Sequence, residues 1–172
     1  MSYLVRKADI FLKEWIKNAD RYPLIIKGAR QVGKTETIRR FAKKNYKNVI
    51  EINFITDPSY KSIIEEGFSA ESITKIISRI DPSKHFEAGE TLLFFDEIQD
   101  FPEIATSLKF FKEDGRYDVI CSGSLLGVQY HRIASISVGY KIDYQMHSMD
   151  FEEFLWAKGY SYRVIAELLE HM

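Results

Sequence analysis

Apolar residues along this chain change period several times, and each change marks an element. Val5, Ala8, Phe11, Leu12 and Trp15 recur at helical spacing over residues 5–19, which predicts an amphipathic helix. Pro23 then opens a short apolar run, Leu24-Ile25-Ile26-Lys27, the mark of a buried strand. Over residues 34–44 the positions Ile38, Phe41 and Ala42 return to the helical period, and residues 48–54 alternate as a strand. Asp57-Pro58-Ser59 opens a helix reaching Glu66 and stopped by Gly67. Ser69-Ala70-Glu71-Ser72 caps another helix through Ile80, ended by Asp81-Pro82. Residues 91–95 form an uninterrupted apolar strand, and Phe101-Pro102 begins a helix to about Lys112, with Gly115 beyond it. Residues 118–122 read as a further buried strand, followed by a short helix from Leu125. Residues 140–146 give the last strand, ahead of helices near 150–157 and 161–170. Strands alternating with helices predict an α/β fold: a mainly parallel sheet of about five strands with helices on both faces. No internal repeat and no low-complexity linker interrupts the pattern.

The turn after the first strand carries the chemistry. Gly28-Ala29-Arg30-Gln31-Val32-Gly33-Lys34-Thr35 fits G-x-x-x-x-G-K-[S/T], a loop that turns its backbone N–H groups inward around an anion. In that pattern Lys34 reaches the β- and γ-phosphates and the Thr35 hydroxyl holds Mg²⁺. Strand, loop and helix come in the order that aims a helix N-terminus at phosphate, and Glu36 lies in that first turn. The expected nucleotide-binding set is therefore Gly28, Ala29, Arg30, Gln31, Val32, Gly33, Lys34, Thr35 and Glu36, with ATP and Mg²⁺ as ligands. The fold class becomes the three-layer P-loop NTPase fold.

A second element agrees. Leu92-Leu93-Phe94-Phe95 ends in two adjacent acids, Asp96 and Glu97, at the strand end where open α/β sheets place ligands. Asp96 is placed on Mg²⁺ with Thr35, and Glu97 is the group that polarises the attacking water. Small-molecule kinases and GTPases with this loop usually lack the glutamate after the metal aspartate. The pair instead suits ATPases in which a further strand lies between the two motif strands. Val119-Ile120-Cys121-Ser122 then runs beside the glycine-loop strand, where Ser122 or Ser124 can meet the γ-phosphate or the water, Ser122 being preferred.

Composition adds exclusions. The 172 residues suit one domain with a proper core. With 24 basic and 25 acidic residues, the net charge of −1 gives no global pull toward nucleic acid or anionic membrane. The single cysteine, Cys121, excludes an internal disulfide and lies in an apolar run, as a buried thiol in a reducing compartment would. No signal peptide opens the chain and no apolar run nears the roughly 20 residues needed to span a bilayer, so the cytoplasm is the expected location. His85, His131, His147 and His171 are scattered without metal-ligand spacing, and no G-x-S-x-G elbow is present. Arg39, Arg40, Lys43, Lys44 and Lys47 read as the solvated end of the first core helix, and nucleic-acid contact is not supported.

Taken together, G-A-R-Q-V-G-K-T, L-F-F-D-E-I-Q, C-S-G-S-L-L and M-D-F-E-E-F-L resemble bacterial and archaeal AAA+-related ATPases. In that family an N-terminal ATPase domain is usually joined to a C-terminal domain of unknown function. The resemblance runs from about Arg6 to about Trp156, and Arg30-Gln31 and Gln99 make it more specific than the phosphate loop alone. It implies Lys34 and Thr35 on phosphate and Mg²⁺, Asp96 on Mg²⁺, Glu97 as water activator and Ser122 as sensor. Tyr140 stands where relatives carry a basic residue after Gly139, which leaves Arg132 as the fallback arginine finger, and Ser148 replaces a usual proline. The expected division is an ATPase core over 1–157 and an amphipathic helix over 158–172 that could start a missing domain; the familiar C-terminal domain is not contained in these residues, through truncation or a short gene. The stripe Val164, Ile165, Leu168 and Leu169 requires a cover: the domain's own sheet, a protein partner or missing domain, or another copy. The leading expectation is a Mg²⁺-dependent ATPase, slow in isolation. The alternatives are a nucleotide-controlled binding module and a small-molecule kinase.

Overall fold

The computed structural model describes residues 5–30, 32–124 and 128–171. Five strands form one sheet: β1 (Leu24–Lys27), β2 (Asn48–Asn53), β3 (Thr91–Asp96), β4 (Asp118–Gly123) and β5 (Ile142–Gln145). Their order is β2-β3-β4-β1-β5, and every neighbouring pair is parallel. Parallel strands need covered faces, which explains why β3 is buried at all six positions. The expected strand between the two motif strands is β4. It pairs Ile26 with Ser122 on one side and Phe95 with Cys121 on the other.

Side chains alternate across a strand, so this register divides the sheet into two faces. Ile25, Leu93, Phe95, Val119 and Cys121 enter one large core cluster. Ile73 and Ile77 of α3 (Ala70–Ile80) and Leu108 and Phe111 of α4 (Ser107–Asp114) complete it. Leu24, Ile26, Phe94 and Ile120 are buried on the opposite face. The helix that contacts β4 there, α2 (Lys34–Asn45), buries Ile38, Phe41 and Ala42. The same alternation puts Asp96 and Ser122 on the α2 face, one step along from Phe95 and Cys121. Packing has thereby placed both polar groups beside the N-terminus of α2.

Local signals act as the sequence implies. The Ser69 hydroxyl accepts from the Ser72 N–H at 3.1 Å, and Gly115 closes α4 with φ +75°. Two proline-led segments differ from expectation: Pro58–Ile64 and Pro102–Thr106 are 3₁₀ turns, and only from Ser107 does a true α-helix run. The reason is stacking. A three-residue turn aligns Phe101, Ile104 and Ser107, and all three are buried (8%, 0% and 0% exposed). The helix after β4, α5 (Val128–Ile136), is described from Val128, so its expected start at Leu125 lies outside the described residues.

By internal contacts Tyr22–Met146 is one unit, and a second joins the segment ending at Arg21 to the segment starting at His147. The second contains α1 (Lys7–Lys17), α6 (Phe151–Ala157) and α7 (Tyr162–Glu170). Its centre is Glu153, 5% exposed, whose carboxylate accepts from Arg6 Nε at 3.0 Å, the Lys7 N–H at 2.7 Å and the Asp150 N–H at 3.1 Å. Arg6 also donates to the His147 carbonyl at 2.7 Å. The Met149-Asp150-Phe151-Glu152-Glu153 motif is thus a helix cap that clasps the start of α1. On α7 only Ile165 of the apolar stripe is buried; Val164, Leu168 and Leu169 are exposed.

Glu153→Ala removes the acceptor of Arg6 Nε and of the Lys7 and Asp150 N–H groups, and removing one partner of a buried ion pair costs about 3–5 kcal/mol. Both tryptophans, Trp15 and Trp156, lie in this unit. Their fluorescence in urea should show a transition moved to markedly lower denaturant; an unmoved midpoint contradicts the clasp.

Candidate functional site

The loop between β1 and α2 is fixed at its root. Met146 N–H donates to the Lys27 carbonyl at 2.7 Å, extending the β1–β5 pairing, and the Gly28 N–H reaches the Gly123 carbonyl at 3.4 Å. Gly28 is consequently wedged so closely that a Cβ there would collide with the Met146 carbonyl oxygen. At the far end Gly33 takes φ +95°, ψ +16°, a left-handed conformation that glycine adopts without steric cost. Gln31 lies outside the described residues. Ala29 and Arg30 are exposed, and Val32 is buried.

The N–H groups of Lys34, Thr35 and Glu36 open α2, where helix geometry offers no acceptor and the dipole favours an anion. The Glu36 side chain turns toward Arg40 at 3.3 Å, so its contribution to the loop is its main-chain N–H. Arg39 pairs with Glu51 at 2.7 Å and Lys47 with Glu87 at 3.1 Å, which accounts for much of the basic cluster at the end of α2.

Lys34 is 8% exposed, and its ammonium folds back over the loop to the Gly28 carbonyl at 3.0 Å and the Ala29 carbonyl at 2.6 Å. Burial pushes its pKa down, further than the nearby charges of Glu97 and Asp96 pull it up. A desolvated cation whose hydrogen bonds among the described residues go to neutral carbonyls gains from an anion placed beside it.

Asp96, 2% exposed, accepts at Oδ2 from Thr35 Oγ1 at 3.0 Å. Its Oδ1 accepts from Ser122 Oγ at 2.5 Å and from the Glu97 N–H at 2.9 Å. The Ser122 hydroxyl, completely buried, therefore orients Asp96. Glu97 follows at φ +58°, ψ +47°, the one positive-φ residue other than glycine among the described residues. Such a backbone costs energy and persists where its surroundings impose it. Its carboxylate accepts a hydrogen bond from Gln99 Nε2.

Lys34, Thr35, Asp96, Glu97 and Ser122 thus converge at the C-terminal ends of β1, β3 and β4. Arg132 is engaged elsewhere, donating to Glu103 at 2.7 Å with both side chains exposed. Sequence reasoning gave no role to Gln99 or to the tight packing at Gly28 and Gly123. The available signals were the Gln99 amide two residues after Glu97 and a glycine at a strand end between two serines. Cys121 is fully buried, and burial pushes its thiol pKa up, as an inert core thiol requires.

The donor set fits a triphosphate accompanied by a hard divalent ion. Thr35 and Asp96 offer two adjacent oxygens, and Mg²⁺ is commonly held by one or two protein oxygens with substrate phosphates and water completing its shell. Among the described residues no group of three or more His, Cys, Asp or Glu could hold a metal by itself. No helix is long and apolar enough to cross a membrane among those residues.

A family model described as an AAA domain matches residues 20–155. No curated protein matches the chain. Among solved structures, C. elegans PCH-2 aligns with a TM-score of 0.50 at 10% identity, over 82% of this chain and 41% of that one. Drosophila ORC bound to DNA aligns with a TM-score of 0.57 at 14% identity, over 95% of this chain and 48% of that one. At such identity the likeness is one of fold, and this chain spans less than half the length of either neighbour.

Gly28→Ala tests the packing at the loop root. The obstructing atom is a main-chain carbonyl and cannot rotate aside, so overpacking should cost about 1–3 kcal/mol in thermal or denaturant unfolding. Parent-like stability would contradict the close approach.

Proposed function

Since the chain belongs to the AAA domain family of AAA+-related P-loop ATPases and is an ATP-binding, ATPase-type module, we propose that it hydrolyses ATP to ADP and phosphate with Mg²⁺. The observation that carries the reading is the 3.0 Å hydrogen bond joining Thr35 on α2 to Asp96 on β3. It sets two oxygens suited to a phosphate-bound ion side by side across 61 residues of sequence.

In this reading the main-chain N–H groups of Gly33, Lys34, Thr35 and Glu36 surround the phosphates. Lys34 exchanges its two carbonyl acceptors for β- and γ-phosphate oxygens, which adds the attraction of opposite charges where burial leaves the ammonium poorly hydrated. Thr35 Oγ1 and Asp96 would hold Mg²⁺, which when bound neutralises charge on the β- and γ-phosphate oxygens. Ser122 keeps the Asp96 carboxylate aimed at that position. Glu97, one residue beyond Asp96, orients a water in line with the γ-phosphorus and receives its proton as the bond to the β,γ-bridging oxygen breaks. Turnover by the isolated chain is slow, because an arginine supplied in trans is worth about 10³–10⁵ in rate in such enzymes. Arg132, exposed on α5, is the residue that a neighbouring copy could offer for that purpose.

Two substitutions separate binding from chemistry. Lys34→Met should abolish the stabilisation ATP confers, about 2.7 kcal/mol at one hundred times the dissociation constant for the parent, without lowering the melting temperature of the nucleotide-free protein. Glu97→Gln should bind ATP at parent strength and lose turnover by about 10²-fold or more. Parent-level phosphate release from Glu97→Gln would remove Glu97 from the mechanism. A parent that nucleotide fails to stabilise would remove the reading altogether.

A further inference from the structure

One side chain at the site is bonded at both ends and has no part in the scheme above. Gln99 lies two residues past Glu97, in the 3₁₀ turn Ile98–Asp100 that leaves β3. Its amide nitrogen donates to Glu97 Oε2, and its amide oxygen accepts from the Ser124 N–H at 3.2 Å, just beyond β4. A main-chain N–H can only donate, so the atom facing Ser124 must be the oxygen, which leaves the NH₂ for the carboxylate. The amide is thereby locked in one orientation. Gly123 makes the room: a Cβ there would stand 2.5 Å from Gln99 Oε1 and 3.3 Å from the Ile98 nitrogen. The Gly123 carbonyl in turn accepts from the Gly28 N–H at the root of the phosphate loop.

We propose that Gln99 is a positioning residue for the Glu97 carboxylate, tying the water-activating group to the end of β4 and so to the root of the phosphate loop. The proposal rests on the ATPase reading above. Glu97 sits in a left-handed backbone conformation that its own side chain does little to favour, and without a second anchor its carboxylate could leave the line of attack. Gln99 supplies that anchor at one oxygen, leaving the other to take the proton of the water. Gln99 touches no phosphate in this arrangement, so its loss should lower the rate of chemistry and spare nucleotide affinity. Partners that orient metal ligands in the same way are typically worth about 10–100-fold, and an effect of that order is expected here.

The test combines Gln99→Leu and Gln99→Glu with Glu97→Gln, each first checked for a parent-like melting temperature. Single-turnover ATP hydrolysis, ATP dissociation constants and ¹⁵N-resolved NMR are then recorded. Gln99→Leu should slow the chemical step about 10–100-fold with the ATP dissociation constant unchanged within about twofold. Gln99→Glu should be slower still, because it sets one carboxylate against another. In NMR the Ser124 N–H resonance should move upfield in Gln99→Leu, and the Gln99 side-chain NH₂ resonances should move in Glu97→Gln. Parent-level hydrolysis by Gln99→Leu, or affinity falling in step with rate, overturns the positioning role. If Glu97→Gln is inactive in the same assays, that failure leaves the ATPase reading standing. A parent without turnover ends the ATPase reading, and the two NMR responses still decide the contacts: resonances that do not move overturn them.

Discussion

The carboxylate of Asp96, 2% exposed, accepts hydrogen bonds from Thr35 of α2, from Ser122 of β4 and from the N–H of Glu97, while Asp96 itself ends β3. A buried carboxylate is costly unless its lone pairs are met, so the three elements must close around it together. That closure requires β4 to lie between β1 and β3, since only then does Ser122 face Asp96 with α2 above both. The topology of the sheet and the geometry of the site are one constraint seen at two scales. The buried hydroxyl of Ser122 holds the aspartate still, and the Thr35 hydroxyl opposite presents a second oxygen at the same point.

Around this centre the chain accepts local costs. Lys34 is a cation drawn out of water and hydrogen-bonded to two carbonyls; Glu97 takes a backbone conformation that side chains disfavour. Gly28 admits no Cβ, and Gly123 leaves space for another residue's amide. Departures from local preference gathered in one place are characteristic of a functional site, because packing elsewhere must hold them. Here the holding is done by strand ends: β5 presses on Gly28 through Met146, and β4 meets both Gly28 and Gln99.

Much of this was legible in the sequence. Helix caps at Ser69 and Gly115, the continuous apolar strands and the glycine loop are local signals, and each element formed near its expected position. The placement of Val119–Ser122 beside the glycine-loop strand followed from the pair of adjacent acids. What stayed hidden depends on contacts distant in sequence. The 3₁₀ form of Pro102–Thr106 is set by the burial of Phe101, Ile104 and Ser107 at three-residue spacing, not by the proline that starts it. The Met149–Glu153 stretch was legible as a family mark, but its reason is Arg6, 147 residues away. The bond from Ser122 to Asp96 was not foreseen, because strand register decides it. Gln99 was legible as a family mark after the two acids, but its contacts were not, since its second partner lies just beyond another strand.

The central claim is that Thr35 and Asp96 act as one ion-binding unit beneath a triphosphate. Calorimetric titration of ATP with and without Mg²⁺, across the cycle of parent, Thr35→Val, Asp96→Asn and the double variant, measures that unit directly. The account predicts that Mg²⁺ strengthens ATP binding to the parent, that either substitution removes most of this gain, and that the second then costs little more. Equal ATP affinity with and without Mg²⁺ in the parent, or losses that simply add, would contradict it.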